Sequence, residues 1–427
     1  MTAEILILSL LFLFAINTPI AIAIGVASVL GILIQGSFPL MMVVQRMFGG
    51  TDSFHLMAVP LFMFAGVIME TGGISRRIID FANALVGWLP GGLAAVTIVS
   101  AMFFAGISGS AAADAAAVGA ILIPAMKKSG YESDFAAAVQ ASGGSIGVII
   151  PPSIPMIIFG FLTGASIGQL FAAGILPGIL IGVSLIGVAT FISSKKGYAA
   201  TTRFSIYEVW HTFRRAILAL GAPVIILGGI LFGIFTATES AAVAVIYALI
   251  VGMAVYRKIR VRDLPRIFTE GAIISSVVMF IIATASVFSW IAAIEDIPAR
   301  LAGTLLGVTD NPVILLLLIN FVLLIAGTFV ETTAALILLV PMITAMLPSL
   351  GGITMVQLGV IIVTNLAIGM LTPPMGICLI VSCSISNDTI AAVSRRILPF
   401  LAILIIDLLV ITFFSPLTMW MAGLVGK

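Results

Sequence analysis

Four clusters of hydroxyl-bearing and small residues interrupt the apolar runs of this chain, and together they carry the chemistry of oxygen ligands. The first is Ser108, Gly109 and Ser110, with Asp114 one helical turn beyond. The second is Ser142, Gly143, Gly144 and Ser145, followed past Pro151-Pro152 by Ser153. The third is Gly327, Thr328, Glu331, Thr332 and Thr333; the fourth is Thr364, Asn365, Gly369, Thr372, Pro374 and Gly376. An apolar setting penalises unpaired polar groups, so such clusters need partners. Hydroxyls with carbonyls freed at a helix break make an all-oxygen shell suited to a small hard cation such as Na⁺. The helix half beginning after each break offers free N–H groups and a positive dipole end, which suit a carboxylate. Ser110 and Thr332 read as site residues rather than as hydroxyls bonding their own backbone. Asp114 and Glu331 either join the site or brace the breaks.

Positioning such clusters requires helices that stop inside an apolar layer. Ile146-Gly147-Val148-Ile149-Ile150-Pro151-Pro152 and Ile368-Gly369-Met370-Leu371-Thr372-Pro373-Pro374 each set two prolines within a long apolar segment. Two successive prolines remove two backbone donors and clash with the preceding turn, so both segments are expected to be broken helices. Each pair is followed by Ile-Leu-Pro, and Pro151 to Pro177 matches Pro373 to Pro399 at 26 residues. In lipid, a broken helix is tolerable only where its freed backbone faces protein or a wet cavity.

The other two clusters lie at kinks. Residues 91–126 carry Gly106-Ile107-Ser108-Gly109-Ser110 at their centre and are flanked by Arg76, Arg77, Lys127 and Lys128. By the positive-inside rule both ends lie in the cytoplasm, the signature of a re-entrant hairpin. Residues 312–347 carry Gly327 to Thr333 at their centre, with Glu295, Asp296, Arg300, Asp310 and no lysine in their flanks, so this hairpin is expected to enter from outside. Ser110 and Thr332 are 222 positions apart, and so are Pro151 and Pro373. Lys195 to Arg215, Arg257 to Arg262, and Arg395 with Arg396 read as cytoplasmic, leaving Lys427 outside. The halves then have opposite orientation, an inverted repeat with its site at the breaks.

Composition agrees. Of 427 residues, 61% are hydrophobic and 8% charged, with mean hydropathy +1.30; soluble domains carry roughly a quarter charged residues. The apolar runs suffice for about ten crossings of a ~30 Å hydrocarbon layer. Their continuity disfavours a barrel of alternating strands. An integral, polytopic, all-α membrane protein is expected. The net charge of +2 is spread over short loops and gives no basis for nucleic-acid binding.

Cys378 and Cys383 read as inert packing residues. His55 and His211 have no second histidine nearby, so no transition metal is expected. Glu239 reads as a helix cap or an interface carboxylate, and Glu70 and Asp407 as isolated structural carboxylates. Tyr207, Trp210 and Phe213 recur at three-residue spacing in the polar stretch 193–215, which reads as a helix lying along the membrane interface. The run from Ile5 to Ile34 reads as mature membrane segment, either one crossing bent at Asn17-Thr18-Pro19 or two short helices. No phosphate loop is present, and Gly143-Gly144-Ser145-Ile146-Gly147 lacks the histidine and acid of a nucleophile elbow. The spans hold almost no lysine for a proton-pumping subunit. No enzyme is expected.

These residues resemble the large membrane subunit of tripartite ATP-independent periplasmic (TRAP) transporters. The likeness runs from Gly106-Ile107-Ser108-Gly109-Ser110 through Gly147-Val148-Ile149-Ile150-Pro151-Pro152-Ser153 and Ala173-Gly174-Ile175-Leu176-Pro177-Gly178. It continues in Thr236-Ala237-Thr238-Glu239-Ser240 and Thr372-Pro373-Pro374-Met375-Gly376. The resemblance implies Na⁺-coupled symport of an organic acid, of sialic acid or C4-dicarboxylate type, across the bacterial inner membrane. It implies a periplasmic binding protein that delivers the substrate and a small four-helix membrane subunit as a separate chain. It also implies an elevator fold similar to divalent-anion/Na⁺ symporters. Na⁺ is then the coupling ion, with no organic cofactor. Its candidate ligands are Ser108, Gly109 and Ser110 with Gly143, Gly144 and Ser145, and Gly327, Thr328 and Thr332 with Thr364, Asn365 and Gly369. The substrate falls to Ser110, Asp114, Pro152, Ser153, Thr332, Thr333, Thr372, Pro374 and Gly376. Expected domains are N-terminal scaffold helices (1–90), a first transport half (91–192), a cytoplasmic arm (193–215), further scaffold (216–311), a second transport half (312–390) and a C-terminal helix (391–427). A stand-alone organic-anion symporter and a non-transporting membrane-enzyme subunit stay open as alternatives.

Overall fold

A computed structural model describes residues 2–16, 18–307 and 309–425, so Asn17 and Lys427 lie outside the described residues. The described chain is helical throughout. The first half runs through α1 (Thr2–Ala15), α2 (Ile20–Gln35), α3 (Met41–Thr51), α4 (Ala58–Thr71), α5 (Ile74–Val86), α6 (Gly92–Ser108), α7 (Ala111–Lys128), α8 (Ser133–Ser145), α9 (Ile154–Thr163) and α10 (Ile167–Lys195). The second runs through α11 (Ile206–Leu231), α12 (Ala237–Ile250), α13 (Leu264–Ile294), α14 (Ile297–Leu306), α15 (Pro312–Phe329), α16 (Thr332–Ala345), α17 (Met355–Gly369), α18 (Ile377–Ser386), α19 (Ile390–Phe413) and the short α20 (Pro416–Ala422).

Six described helices are long and apolar enough to cross a membrane: α10, α11, α12 with its π-turn, α13, α15 and α19. The α3–α4 pair, bent by 70°, makes a seventh if taken as one span. The apolar runs suffice for about ten crossings; the breaks at proline, glycine and serine divide those outside the long spans into helices of 10–17 residues. The N-terminal run is one of these: α1 and α2 are two short helices.

Helix starts are built to satisfy the first-turn N–H groups, which lipid cannot do. Ser110, Ser153, Ser166, Thr354 and Thr389 cap α7, α9, α10, α17 and α19 with their hydroxyls. Thr236 and Glu239 form a reciprocal capping box on α12, the first of the two roles expected of Glu239.

The two halves exchange contacts reciprocally. α2 packs on α13 and α12 on α4; α7 packs on α18 and α16 on α9; α8 packs on α19 and α17 on α10. The spacing is preserved, since α8 starts at Ser133 and α17 at Met355, 222 residues later. Small residues permit the close approaches: a β-carbon on Gly144 would lie 2.8 Å from that of Ala115.

The basic stretches read as cytoplasmic gather together. Lys196 and Arg396 both pair with Glu132, and Arg396 Nε reaches Asp134 at 2.8 Å. Arg77 stacks over Tyr256 at 3.5 Å, whose hydroxyl donates to the Arg215 carbonyl. Residues 193–215 do not form a separate interfacial helix, however. α10 extends to Lys195, and Ser205 caps α11, which carries Tyr207, Trp210 and Phe213 in its opening turns and continues unbroken to Leu231. Nothing between Arg215 and Ala216 stops a helix, and Phe213 packs against Phe81 with the rings tilted by 51°.

Candidate functional site

The α6–α7 break forms one tip. Gly109 takes φ +63° there, a conformation that strains any side chain, and Ser110 accepts from the Ala113 N–H at 3.5 Å. Ser108 Oγ donates to Asp114 Oδ1 at 2.5 Å and accepts from the Ser110 N–H at 3.1 Å. Gln140 Nε2 of α8 donates to the Asp114 and Ala115 carbonyls at 3.3 and 3.2 Å, tying the first turn of α7 to the first broken helix. Asp114 is fully buried, and its Oδ2 has no hydrogen-bond partner among the described residues. The tip rests on the proline break. The Ile154 N–H donates to the Gly109 carbonyl at 3.4 Å, and Ser153 Oγ donates to the Val148 carbonyl while accepting from the Met156 N–H.

The α15–α16 break forms the second tip. Here Glu331 braces the structure: its carboxylate accepts from the Thr333 and Ala334 N–H groups at 2.8 and 3.3 Å. Thr332 Oγ1 lies 3.0 Å from Met370 Sδ on the second break. On α17, Thr364 Oγ1 and Asn365 Oδ1 are buried without a hydrogen-bond partner among the described residues. Both are neutral oxygen acceptors, the donor type a small hard cation takes. Ser142 and Ser145 donate to the Ala138 and Ser142 carbonyls; their oxygens keep lone pairs for a further partner.

The two tips, distant in sequence, line one cavity of about 180 Å³. Ser110 enters it from one side and Glu331, Thr332 and Thr333 from the other, while Ile274 to Ile281 of α13 close it with apolar side chains. Among the expected substrate residues, Ser110, Thr332 and Thr333 therefore share a cavity. Pro152, Ser153, Thr372, Pro374 and Gly376 are not among its walls; they build the breaks that support the tips. Asp114 faces an adjoining cavity of about 90 Å³, shared with Ser108, Ser110 and Glu70. Glu70 is thus not isolated as expected, because α4 packs against α6 and brings it to the same cavity. Nor is Asp407, which accepts from Ser184 Oγ at 3.0 Å and joins α19 to α10.

Sequence reasoning missed Gln140, Asn320 and Thr412. Asn320 sits amid Leu315 to Leu324, where a lone amide in an apolar run was itself a signal. Its role depends on which helix faces meet. Cys378 and Cys383 are buried free thiols, as expected. Among the described residues no group of three or more His, Cys, Asp or Glu side chains is arranged to hold a metal ion.

Comparison with known proteins adds the family. Residues 7–417 match the profile described as "Tripartite ATP-independent periplasmic transporter, DctM component". The chain is 42% identical over 409 residues to the isethionate TRAP transporter permease protein DctMQ of Oleidesulfovibrio alaskensis, covering 96% of this chain and 64% of that one. It is 41% identical over 375 residues to the sialic acid TRAP transporter large permease protein SiaM of Vibrio cholerae, covering 88% of each. The fold resembles the crystal structure of the Alcanivorax borkumensis YdaH transporter, with TM-score 0.59 at 14% identity over 90% of this chain and 88% of that one. The helical, multi-pass membrane architecture, the paired breaks and the sequence match agree: this chain belongs to the TRAP transporter family as a DctM-type large permease component, a transporter and not an enzyme.

Proposed function

We propose that this permease imports an organic acid by Na⁺-coupled symport through an inverted-repeat, elevator-type motion. The observation that carries the reading is the meeting of both tips in one cavity beside the apolar wall of α13. α6 to α10 with α15 to α19 form the moving body, and α1 to α5 with α11 to α14 the scaffold. Ser110, Thr332 and Thr333 present hydroxyls to the substrate, and the first-turn N–H groups of α7 and α16 favour its anionic group. The relatives' names fit an anionic group with a variable remainder, since isethionate and sialic acid are both organic acids with different frames.

Cation binding falls to buried oxygens without a hydrogen-bond partner among the described residues: Asp114 Oδ2 in the first half, and Thr364 Oγ1 and Asn365 Oδ1 in the second. Filling these positions stabilises the tips against the breaks. Coupling follows if the substrate-competent tip arrangement is scarcely populated otherwise. A small membrane subunit and a periplasmic binding protein complete the system in the bacterial inner membrane. The DctMQ relative, of which this chain matches only part, fits a permease that elsewhere carries additional sequence.

The test is uptake by the reconstituted permease with its small subunit and cognate binding protein. Uptake should follow an imposed Na⁺ gradient, with Ser110→Ala and Thr332→Ala weakening apparent Na⁺ or substrate affinity. Uptake that ignores Na⁺ and follows pH overturns the coupling.

A further inference from the structure

We infer that Asn320 and Thr412 are positioning residues that hold the Asn365 side-chain oxygen in place as a cation ligand. The inference rests on the proposed Na⁺ role of Asn365. Neither Asn320 nor Thr412 belongs to a tip or a break: they lie on α15 and α19, on two flanks of α17.

Four hydrogen bonds form a directed chain. Asn365 Nδ2 donates to its own helix at the Ile361 carbonyl, 3.0 Å away, and to Asn320 Oδ1 at 2.8 Å. Asn320 Nδ2 donates to Thr412 Oγ1 at 3.0 Å, and Thr412 Oγ1 donates to the Leu408 carbonyl at 2.8 Å. Asn365 is fully buried, Asn320 is 4% exposed and Thr412 1% exposed.

The chemistry of each partner fixes its orientation. A backbone carbonyl has no hydrogen to give, so the Asn365 atom facing Ile361 must be the nitrogen. That nitrogen donates, so the facing Asn320 atom must be the oxygen. The Asn320 nitrogen then faces Thr412, whose own hydrogen is directed to Leu408. Turning Asn365 over would set its oxygen against the Ile361 carbonyl and lose both donor bonds. Both hydrogens of the Asn365 amide are thereby used, and Oδ1 is held as a buried acceptor without a partner among the described residues. This is the arrangement in which outer partners orient a ligand and tune a cation site.

The probe is Na⁺ alone, with no need to know the substrate. The purified permease with its small subunit is melted over a NaCl series balanced by choline chloride, and the Na⁺ concentration for half-maximal thermal stabilisation is read. Thr412→Val is near-isosteric and removes the acceptor for Asn320, so it should raise that concentration about tenfold, the usual effect of losing an outer-shell partner. Thr412→Ser keeps the hydroxyl and should restore the original value. Asn320→Leu should act in the same direction as Thr412→Val, and the valine substitution should add nothing in an Asn365→Ala background. If Asn365→Ala shifts the Na⁺ dependence while Thr412→Val does not, the positioning role is overturned and the Na⁺ reading survives. If Asn365→Ala itself leaves the dependence unchanged, the Na⁺ reading of Asn365 and the positioning role both fall.

Discussion

Gly327 and Gly369 meet backbone to backbone, one at the end of α15 and the other at the end of α17. A β-carbon on Gly369 would lie 2.5 Å from the Gly327 Cα and carbonyl carbon. The obstacle is main chain, so relief requires moving the second tip off its break. Gly369→Ala should cost about 1–3 kcal/mol of stability, the usual range for overpacking, and reduce uptake more than that loss explains. Gly187→Ala on α10 is the control, because nothing lies within 4 Å of its added carbon. Equal uptake by the two variants would contradict a working contact between tip and break.

Ser108 and Asp114 set up a second comparison. Asp114→Asn keeps an oxygen for the Ser108 hydroxyl but puts an N–H pair where a carboxylate oxygen now stands. The variant should fold and reach the membrane, yet need about tenfold more Na⁺ for half-maximal uptake or stabilisation if Oδ2 faces a cation. Asp114→Ala also removes the nearer acceptor of the Ser108 hydroxyl, leaving the Ser110 carbonyl at 3.4 Å, and should lower the melting midpoint in the absence of Na⁺. An Asp114→Asn protein with unaltered Na⁺ dependence would assign the carboxylate to bracing alone.

The breaks were legible in the sequence because proline and glycine act locally. Pro151-Pro152 and Pro373-Pro374 each remove two successive backbone donors, and α8 and α17 stop ahead of them at Ser145 and Gly369; the serine and glycine at residues 108–110 mark a cap by their own chemistry. The wiring behind the breaks was not legible. Gln140, Asn320 and Thr412 acquire meaning only once α7 meets α8 and α15 and α19 flank α17, which is a matter of packing between distant segments. Glu70 looked isolated for the same reason, since its neighbours lie on α6 and α7 rather than on α4. Glu331 was readable in two ways, as a site residue or as a brace, and only the packed tip separates them: it lines the cavity while its hydrogen bonds cap α16.

Arg396 supports the fold from a distance. It reaches Glu132 and Asp134 at the start of α8, while Lys196 at the end of α10 reaches Glu132 as well. These side chains are partly exposed, so each pair contributes at most about 1 kcal/mol. Arg396→Ala should lower the thermal midpoint by a few degrees, with Lys196→Ala adding less than its separate effect because both share Glu132. Na⁺ dependence should stay unchanged, as neither residue lines a cavity at the tips. A changed Na⁺ half-point would show that the charged end communicates with the site.

Thiol labelling tests how the first tip is reached. Ser110 and Glu70 line the same cavity, and Glu70 lies near the end of α4, close in sequence to Arg76 and Arg77. If the tip is reached past Glu70, access comes from the side of Arg76 and Arg77, which the positive-inside rule places in the cytoplasm. The native thiols do not interfere, since Cys378 and Cys383 are both buried and react slowly with bulky reagents when shielded. The unaltered permease should stay unlabelled by a membrane-impermeant maleimide until it is unfolded. Ser110→Cys should be labelled at least about tenfold faster in inside-out vesicles than in right-side-out ones, with the positively charged end of the protein facing the cytoplasm. Na⁺ should slow the reaction by steadying the tip against its break. Faster labelling from the outer face would reverse the orientation of this hairpin and, with it, the assignment of opposite orientations to the two halves.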